Sequence, residues 1–269
     1  MKNAMTLILI ASFLLTVKIS AAAPEASLIM QKSASALNAA VKGTRKMVII
    51  IKDGDKITSE WTARKVTKDF DDGKRALMVL LEPESLKGSA YLFWQLKNKP
   101  IMEWIYSPAV RRVRKLTAIM AYNPFMGTDF TWADFDIKDP GGEHKILEEI
   151  VTADKKFYKI ETIPAENWYY SRIVSRISMD NFLPVQREYY DNTGKIWKVK
   201  TFEKVVVLKT IPMPLLIRMQ NKVYNQSTEL IISDVCFDAP YIKKEMFDPK
   251  KLSEAAFSPV CSIPEPSKK

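Results

Sequence analysis

Aromatic residues, methionines and arginines are concentrated in one central part of the chain, at residues 104–115 and 123–132. Methionine and aromatic side chains suit an adaptable apolar pocket, and neighbouring arginines can hold a phosphate or a carboxylate at its mouth. The other interpretation of this pattern is a core strand followed by a basic, exposed sheet edge. Spacing alone does not decide between the two.

Groups suited to catalysis are few, and they favour a protein that is not an enzyme. His144 is the only histidine, and the turn chemistry of residues 139–142 predicts an exposed turn for it. Acidic residues occur close together at 71–72, 134–136 and 148–149, as solvated surface groups usually do. No nucleophile elbow, phosphate loop or dinucleotide fingerprint is present, and no set of ligands has zinc-like spacing. We therefore expect no catalytic residue, no metal and no cofactor.

The elements that must position the central block are mostly strands. An amphipathic helix is predicted over residues 27–41, where apolar residues follow at near-helical spacing, and Gly43 can end it. The apolar positions of this helix are Leu28, Met30, Ala34, Leu37 and Val41. Beyond Gly43, short runs rich in β-branched and aromatic residues alternate with turn residues, which is typical of antiparallel sheets.

Two hairpins are clear in the pattern. In the first, two strands are joined by the turn at residues 98–100. Side chains alternate between the faces of each strand, and Trp94 lies on the apolar face of the first strand and Trp104 on that of the second. In the second, the sequence Asp-Asn-Thr-Gly at 191–194 supplies the residues that tight turns need. Long open sheet edges invite aggregation, so many antiparallel strands in one domain must curl, stack or close. The fold class predicted is mainly β: a strongly curved, incomplete antiparallel β-barrel of about eleven strands, with the N-terminal helix and short helices covering the concave face.

The first 22 residues have the pattern of a secretory signal peptide. Lys2 precedes an apolar run that is too short to span a membrane, and the run ends in Ser20 and three alanines. We predict cleavage after Ala22, a single β domain over residues 23–269, and a periplasmic location. Cleavage removes Lys2 and Lys18 and no acid, so the formal charge falls by two from +10 to +8. This net positive charge favours anionic membrane surfaces or acidic proteins as partners rather than nucleic acid. A need for solubility alone would also explain the charge.

The two cysteines, Cys236 and Cys261, lie near the C-terminus. Because an exported protein meets an oxidising environment, a disulfide that holds the tail is expected. Two buried free thiols are the alternative.

Several segments, in this order, resemble the outer-membrane lipoprotein-sorting family, the relatives of the periplasmic lipoprotein carrier LolA. They are residues 81–83 with 87–88, residues 104–108 with 111–114, residues 125–130, and residues 183–185 with 190–195. Together they span roughly residues 80–200 of this sequence. The resemblance implies a LolA-like curved sheet whose apolar cavity shields acyl chains from water, and a possible inner-membrane partner of the resistance-nodulation-division (RND) type.

With this resemblance, the central block is interpreted as a lipid site. The expected lipid-binding residues are Trp94, Met102, Trp104, Phe125, Met126, Phe130 and Trp132. Arg111, Arg112 and Arg114 are expected to contact a headgroup or a partner. The function predicted is a periplasmic carrier of lipid or lipoprotein acyl chains between the two membranes. Two alternatives remain: a regulatory sensor of the same fold, and a hydrolase acting on envelope lipids or glycans.

Overall fold

The structure is a computed structural model, and it describes residues 23–117, 123–131, 134, 141–153, 155–165, 168–237 and 239–255. The predicted signal peptide, Trp132 and Cys261 lie outside the described residues.

Within the described ranges, the regular structure consists of one helix and thirteen strands, followed by two 3₁₀ helices. The helix, α1, spans Ala23–Val41. The strands are β1 (Gly43–Asp53), β2 (Lys56–Phe70), β3 (Gly73–Glu82), β4 (Ala90–Leu96), β5 (Met102–Ser107), β6 (Arg112–Lys115), β7 (Glu143–Val151), β8 (Lys156–Ile163), β9 (Arg172–Ser178), β10 (Pro184–Tyr190), β11 (Ile196–Leu208), β12 (Ile211–Asn221) and β13 (Gln226–Cys236). The 3₁₀ helices are Lys244–Phe247 and Pro249–Glu254.

All thirteen strands form one antiparallel sheet, in the order β6-β5-β4-β3-β2-β1-β13-β12-β11-β10-β9-β8-β7. Strands β1 to β6 run in chain order towards one edge, and β13 back to β7 run towards the other. The two halves meet where β1 pairs with β13, with Ile49 opposite Leu230. The sheet is curved and open, with β6 and β7 at its edges, which confirms the predicted mainly-β, antiparallel LolA-like class. The count is thirteen strands rather than about eleven.

Gly43 lets β1 start directly after the helix. Its φ of +82° is in the left-handed region that favours glycine, and an added Cβ would lie only 1.9 Å from the backbone oxygen of Cys236. The predicted end of the helix before Gly43 is therefore confirmed. The hairpin at 191–194 is also confirmed, since the Asp191 carboxylate accepts from the amides of Thr193 and Lys195, and Gly194 has a φ of +79°.

The two faces of the sheet have different covers. In β3, Met78 and Leu80 point to one face, whereas Leu77 and Val79 point to the other. We call the first the helix face, because α1 and residues 123–131 cover it, and the second the tail face, because residues 239–255 cover it. The helical cover is thus divided between the two faces, with α1 on one and both 3₁₀ helices on the other.

The helix packs through one stripe. Its buried residues are Ala26, Ile29, Met30, Ser33, Leu37 and Ala40. Ile29 and Met30 contact Ile160 and Ile177, whereas Leu37 packs with Leu183 and Phe202. Leu28, which spacing alone assigns to the apolar stripe, is 49% exposed. The helix also begins earlier than predicted, at Ala23.

Candidate functional site

A cavity of about 50 Å³ lies between the C-terminal half of α1 and the helix face of the sheet. It is lined by Leu37, Val41, Arg45, Met47, Lys65, Phe130, Asp134, Arg187, Lys200, Phe202, Ile217, Leu230 and Ile232. Strands from both halves of the sheet contribute, so the cavity lies over the central pairing of β1 with β13. Its wall is mostly apolar, with a set of cations and one carboxylate, which is the chemistry of a site for an amphiphile.

The register explains why cations line this wall. Arg187 of β10 is opposite Lys200 of β11, and Arg45 of β1 is opposite Lys65 of β2. In β11, side chains alternate between faces, so Lys198, Lys200 and Phe202 all point to the helix face. That face is covered, and both lysines are therefore buried.

Arg45 attaches the end of α1 to the sheet. Its guanidinium donates to the carbonyl oxygen of Ala40 at 2.7 Å and to that of Lys42 at 2.6 Å. The last carbonyls of a helix lack intrahelical partners and carry partial negative charge, so a cation stabilises them. Burial lowers the pKa of Arg45 to about 10, and the group stays charged at neutral pH.

The two buried lysines of β11 hold the chain that closes the other side of the cavity. Lys198 donates to the carbonyl oxygen of Asp129 at 2.7 Å, and Lys200 donates to that of Asp134 at 3.2 Å. Burial lowers the pKa of Lys198, and the charges of Asp134 and Asp129 oppose that effect. Burial lowers the pKa of Lys200 to about 8, although the charge of Asp134 favours its protonated form.

A hydrogen-bonded group of acids, threonines and tyrosines surrounds these lysines. The Asp134 carboxylate accepts from the amide of Thr131 and from the hydroxyl of Tyr170, each at 3.0 Å. The Asp129 carboxylate accepts from the Thr228 hydroxyl at 2.9 Å, and burial raises the pKa of Asp129. Burial also raises the pKa of Tyr170 well above its ordinary value, and the charge of Asp134 adds to the rise.

The predicted lipid-binding residues divide between the two faces. Trp94, Met102 and Trp104 are on the tail face, where the two tryptophan rings lie 5.1 Å apart. Trp94 also donates to the carbonyl oxygen of Phe247 at 2.9 Å. Phe125, Met126 and Phe130 belong to the core of the helix face, and Phe130 lines the cavity. The structure therefore brings each group together but does not unite them in one site.

The predicted headgroup arginines lie at an edge of the sheet. Arg111 is in the turn after β5 with a φ of 49°, and Arg112 and Arg114 belong to the edge strand β6. All three are exposed, and they are not among the residues that line the cavity. The described cations at the cavity are Arg45, Lys65, Arg187 and Lys200 instead.

These four cations were not predicted, although the sequence contains a signal for one of them, Lys200. Lys198, Lys200 and Phe202 alternate with Val199 and Thr201, so period two assigns both lysines to the face of an aromatic residue. A lysine that shares a face with a core aromatic residue is a candidate for burial.

Two further predictions concern His144 and the cysteines. The prediction of an exposed turn for His144 is wrong, because His144 lies in β7, is half-buried, and has its Nδ1 3.0 Å from the Thr162 hydroxyl. The turn residues before His144 favour a later start, whereas the strand begins at Glu143. Cys236 is buried at the end of β13, and no free cysteine is found in the described part of the chain. Its pairing with Cys261 stays a prediction.

Within the described ranges, no group of three or more His, Cys, Asp or Glu side chains is placed to hold a metal ion. No helix in the same ranges is long and apolar enough to cross a membrane.

Solved structures with this fold come from several bacteria. A DUF1329 family protein from Desulfovibrio piger has a TM-score of 0.75 at 19% identity, over 84% of this chain and 98% of its own. A candidate outer membrane lipoprotein-sorting protein domain from Vibrio parahaemolyticus has a TM-score of 0.74 at 22% identity, over 86% of this chain and 100% of its own. A LolA superfamily protein from Nitrosomonas europaea has a TM-score of 0.63 at 16% identity, over 83% of this chain and 97% of its own.

These similarities, together with the open thirteen-stranded sheet, define the chain as a protein with the LolA-like fold. A family model described as "Uncharacterized protein" matches residues 72–254, which is more than half of the chain. The chain belongs to that family. A comparison with curated proteins found no match.

Proposed function

We propose that this protein carries the acyl chains of a lipid or a lipoprotein through the periplasm, and that the acyl chain binds between α1 and the helix face of the sheet. The cavity under α1 is the observation that supports this most directly. Its wall is formed by apolar residues from α1, from the segment that contains Phe130, and from both halves of the sheet. An acyl chain exposed to water costs about 0.8 kcal/mol per CH₂ group, so a diffusing lipid needs such a container.

Loading requires α1 to move. The cavity measures about 50 Å³, whereas sites for drug-sized ligands measure about 300–1,000 Å³. An acyl chain therefore fits only where it replaces contacts that α1 makes with the sheet, such as those of Leu37 with Leu183 and Phe202. Apolar side-chain contacts of this kind are non-directional, so a hydrocarbon chain can substitute for them without leaving polar groups unpaired.

The edge of the sheet supplies a second element of the proposal. Arg111, Arg112 and Arg114 are exposed beside each other and would attract an anionic membrane surface or an acidic partner. An inner-membrane transporter of the RND type is the partner proposed for loading or unloading. The periplasmic location and the signal peptide over residues 1–22 belong to the same proposal.

The experiment that tests carriage is lipid transfer. Purified protein is analysed by native mass spectrometry and lipid extraction, and then mixed with donor vesicles that contain labelled lipid and with unlabelled acceptors. Carriage predicts co-purified lipid and faster transfer in proportion to protein concentration. Retention of lipid without transfer would instead indicate a sensor. Absence of lipid, together with turnover that is lost on substitution of one carboxylate, would indicate a hydrolase.

A pair of variants identifies the face that holds the chain. Phe130→Ala removes an aromatic side chain from the cavity wall, whereas Trp104→Ala removes one from the tail face. If the acyl chain binds under α1, only Phe130→Ala alters the affinity for lipid. The opposite result would move the proposed site to Trp94, Met102 and Trp104.

A further inference from the structure

The cavity under α1 contains more positive charge than an acyl chain needs. Among the described lining residues, Arg45, Lys65, Arg187 and Lys200 are cationic and Asp134 is the one carboxylate. Burying a charge is costly unless it is paired, so these cations would not stay in an apolar container by chance. Arg45 and Lys200 donate to backbone oxygens, and these bonds to neutral groups leave their positive charge in the cavity.

The four cations converge from both halves of the sheet. Arg45 and Lys65 come from β1 and β2, and Arg187 and Lys200 come from β10 and β11. The charges of Arg187 and Lys65 both lower the pKa of Lys200, so these three groups share one electrostatic environment. An anion placed among them would relieve this mutual repulsion.

Two arginine donors in this group also lack an acceptor within the part of the chain that the structure describes. Among the described residues, no hydrogen-bond partner is found for the buried Nε atoms of Arg45 and Arg187, and Arg45 is only 3% exposed. Buried donors without partners are costly, and a multivalent acceptor such as a carboxylate or a phosphate satisfies several at once.

We propose that this site selects an acyl amphiphile with an anionic head, a carboxylate or a phosphate, and binds that head inside the cavity among Arg45, Lys65, Arg187 and Lys200. The proposal rests on the proposed carrier function and deepens it by naming the class of cargo. The acyl chain then extends along the apolar residues of the same wall, including Phe202 and Ile217. Asp134 faces the site as well and keeps Lys200 oriented through its backbone oxygen.

The test is displacement of a neutral fluorescent acyl probe at pH 7 by four competitors: dodecanoate, dodecyl phosphate, dodecanol and inorganic phosphate. We expect the two anionic amphiphiles to compete better than dodecanol by about tenfold or more, which is the effect of one charge-assisted hydrogen bond. Inorganic phosphate, which lacks the chain, should compete only weakly.

A matched pair of variants assigns this preference to the cavity. Lys200→Met should reduce the preference for anionic heads to a few-fold at most, whereas Lys204→Met, on the exposed side of the same strand, should leave it unchanged. The comparison of dodecanoate with dodecanol on the unmodified protein needs no variant, so it stands even if Lys200→Met fails to fold.

The outcomes separate this inference from carriage. If dodecanol competes as well as dodecanoate, anion selection is overturned while carriage stands. If inorganic phosphate competes as strongly as dodecyl phosphate, the site binds free anions, and the proposal that its ligand is an amphiphile is overturned. If no amphiphile displaces the probe, both proposals fail.

Discussion

At the scale of single residues, buried charge is the feature that most distinguishes this protein from an ordinary β-sheet domain. Lys200 is 5% exposed, and its ammonium group contacts a backbone oxygen of Asp134. A charged group held this way weakens the folded state, because water solvates the same charge better in the unfolded chain. Such a cost is typical of a functional site.

The pKa of Lys200 gives this cost a pH dependence. Burial lowers its pKa from 10.5 to about 8 in the folded state. Below pH 8 the lysine is charged in both states, so the folded state carries the full penalty; above 10.5 it is neutral in both states, and the penalty is gone. Between pH 7 and 10, the wild type should therefore gain stability relative to Lys200→Met, on the order of 2 kcal/mol. Urea unfolding of both proteins at several pH values measures this difference, and a constant difference would contradict it.

Gly43 offers a second prediction at this scale. Gly43 and Gly194 have nearly equal φ values, +82° and +79°, but an added Cβ at Gly43 meets the Cys236 backbone at 1.9 Å, while one at Gly194 meets nothing within 4 Å. Gly194→Ala should cost about 1–2 kcal/mol, from backbone strain alone. Gly43→Ala should cost several times more, because β1 and β13 must separate there. Urea denaturation measures both changes, and equal losses would show that the close approach is relieved cheaply.

At the scale of elements, α1 differs from the strands in how it is held. The strands share backbone hydrogen bonds across the sheet, whereas α1 is held by its apolar stripe and by side-chain hydrogen bonds, two from Arg45 and one from Lys74 to Asn38. Elements attached in this way open at lower free energy than paired strands. This makes α1 the part of the cavity that can move to admit a ligand.

We therefore expect Leu37→Ala to loosen α1. The substitution removes contacts with Leu183 and Phe202 and should cost about 2–4 kcal/mol, and it should increase the rate of lipid uptake in the vesicle assay. Leu28→Ala is the matched control, because Leu28 lies on the same helix but is 49% exposed. Stability is measured by thermal unfolding. If Leu37→Ala lowers stability and leaves uptake unchanged, α1 does not control entry.

The elements were largely predictable from the sequence, whereas the site was not. Most strands of the sheet have alternating or continuous apolar patterns. Pro212 and Pro214 lie in the part of β12 that pairs only with β11. Because proline has no amide hydrogen to donate, it suits a stretch of strand that is paired on one side only. The strand β6 matches the basic, exposed sheet edge given as the other interpretation of the central block, since all four of its residues are exposed and three are basic. The cations of the cavity were missed because burial of Arg45 or Arg187 depends on pairing across distant strands, which local spacing does not encode.

At the scale of the whole molecule, the open sheet must avoid pairing with other sheets at its two edges. The edge strand β6 presents Arg112, Arg114 and Lys115, and the other edge strand, β7, presents exposed Glu148 and Glu149. Charged residues on edge strands oppose association with a further strand. The arginines predicted to contact a headgroup therefore have a structural role as well, and their exposure alone does not assign them to lipid.

The tail is the last part of the whole-molecule arrangement. Residues 239–255 cover the tail face through Phe247 and Leu252, which pack with the apolar residues of β3 and β4. These residues follow Cys236 directly, and the predicted partner, Cys261, comes shortly after them. A disulfide between the two would close a loop around the whole tail segment and hold it on the sheet.

If this disulfide forms, reduction should release the tail and expose Trp94, whose indole donates to Phe247. We expect the reduced protein to lose roughly 3 kcal/mol of stability, as predicted for a loop of this length. The fluorescence of the tail-face tryptophans should shift to the red before the sheet unfolds. Cys261→Ser provides the control, since it should resemble the reduced protein and be insensitive to reductant. An unchanged mass after alkylation without reductant would confirm that both thiols are blocked, whereas labelling of both would show that the tail is held on the sheet without a disulfide.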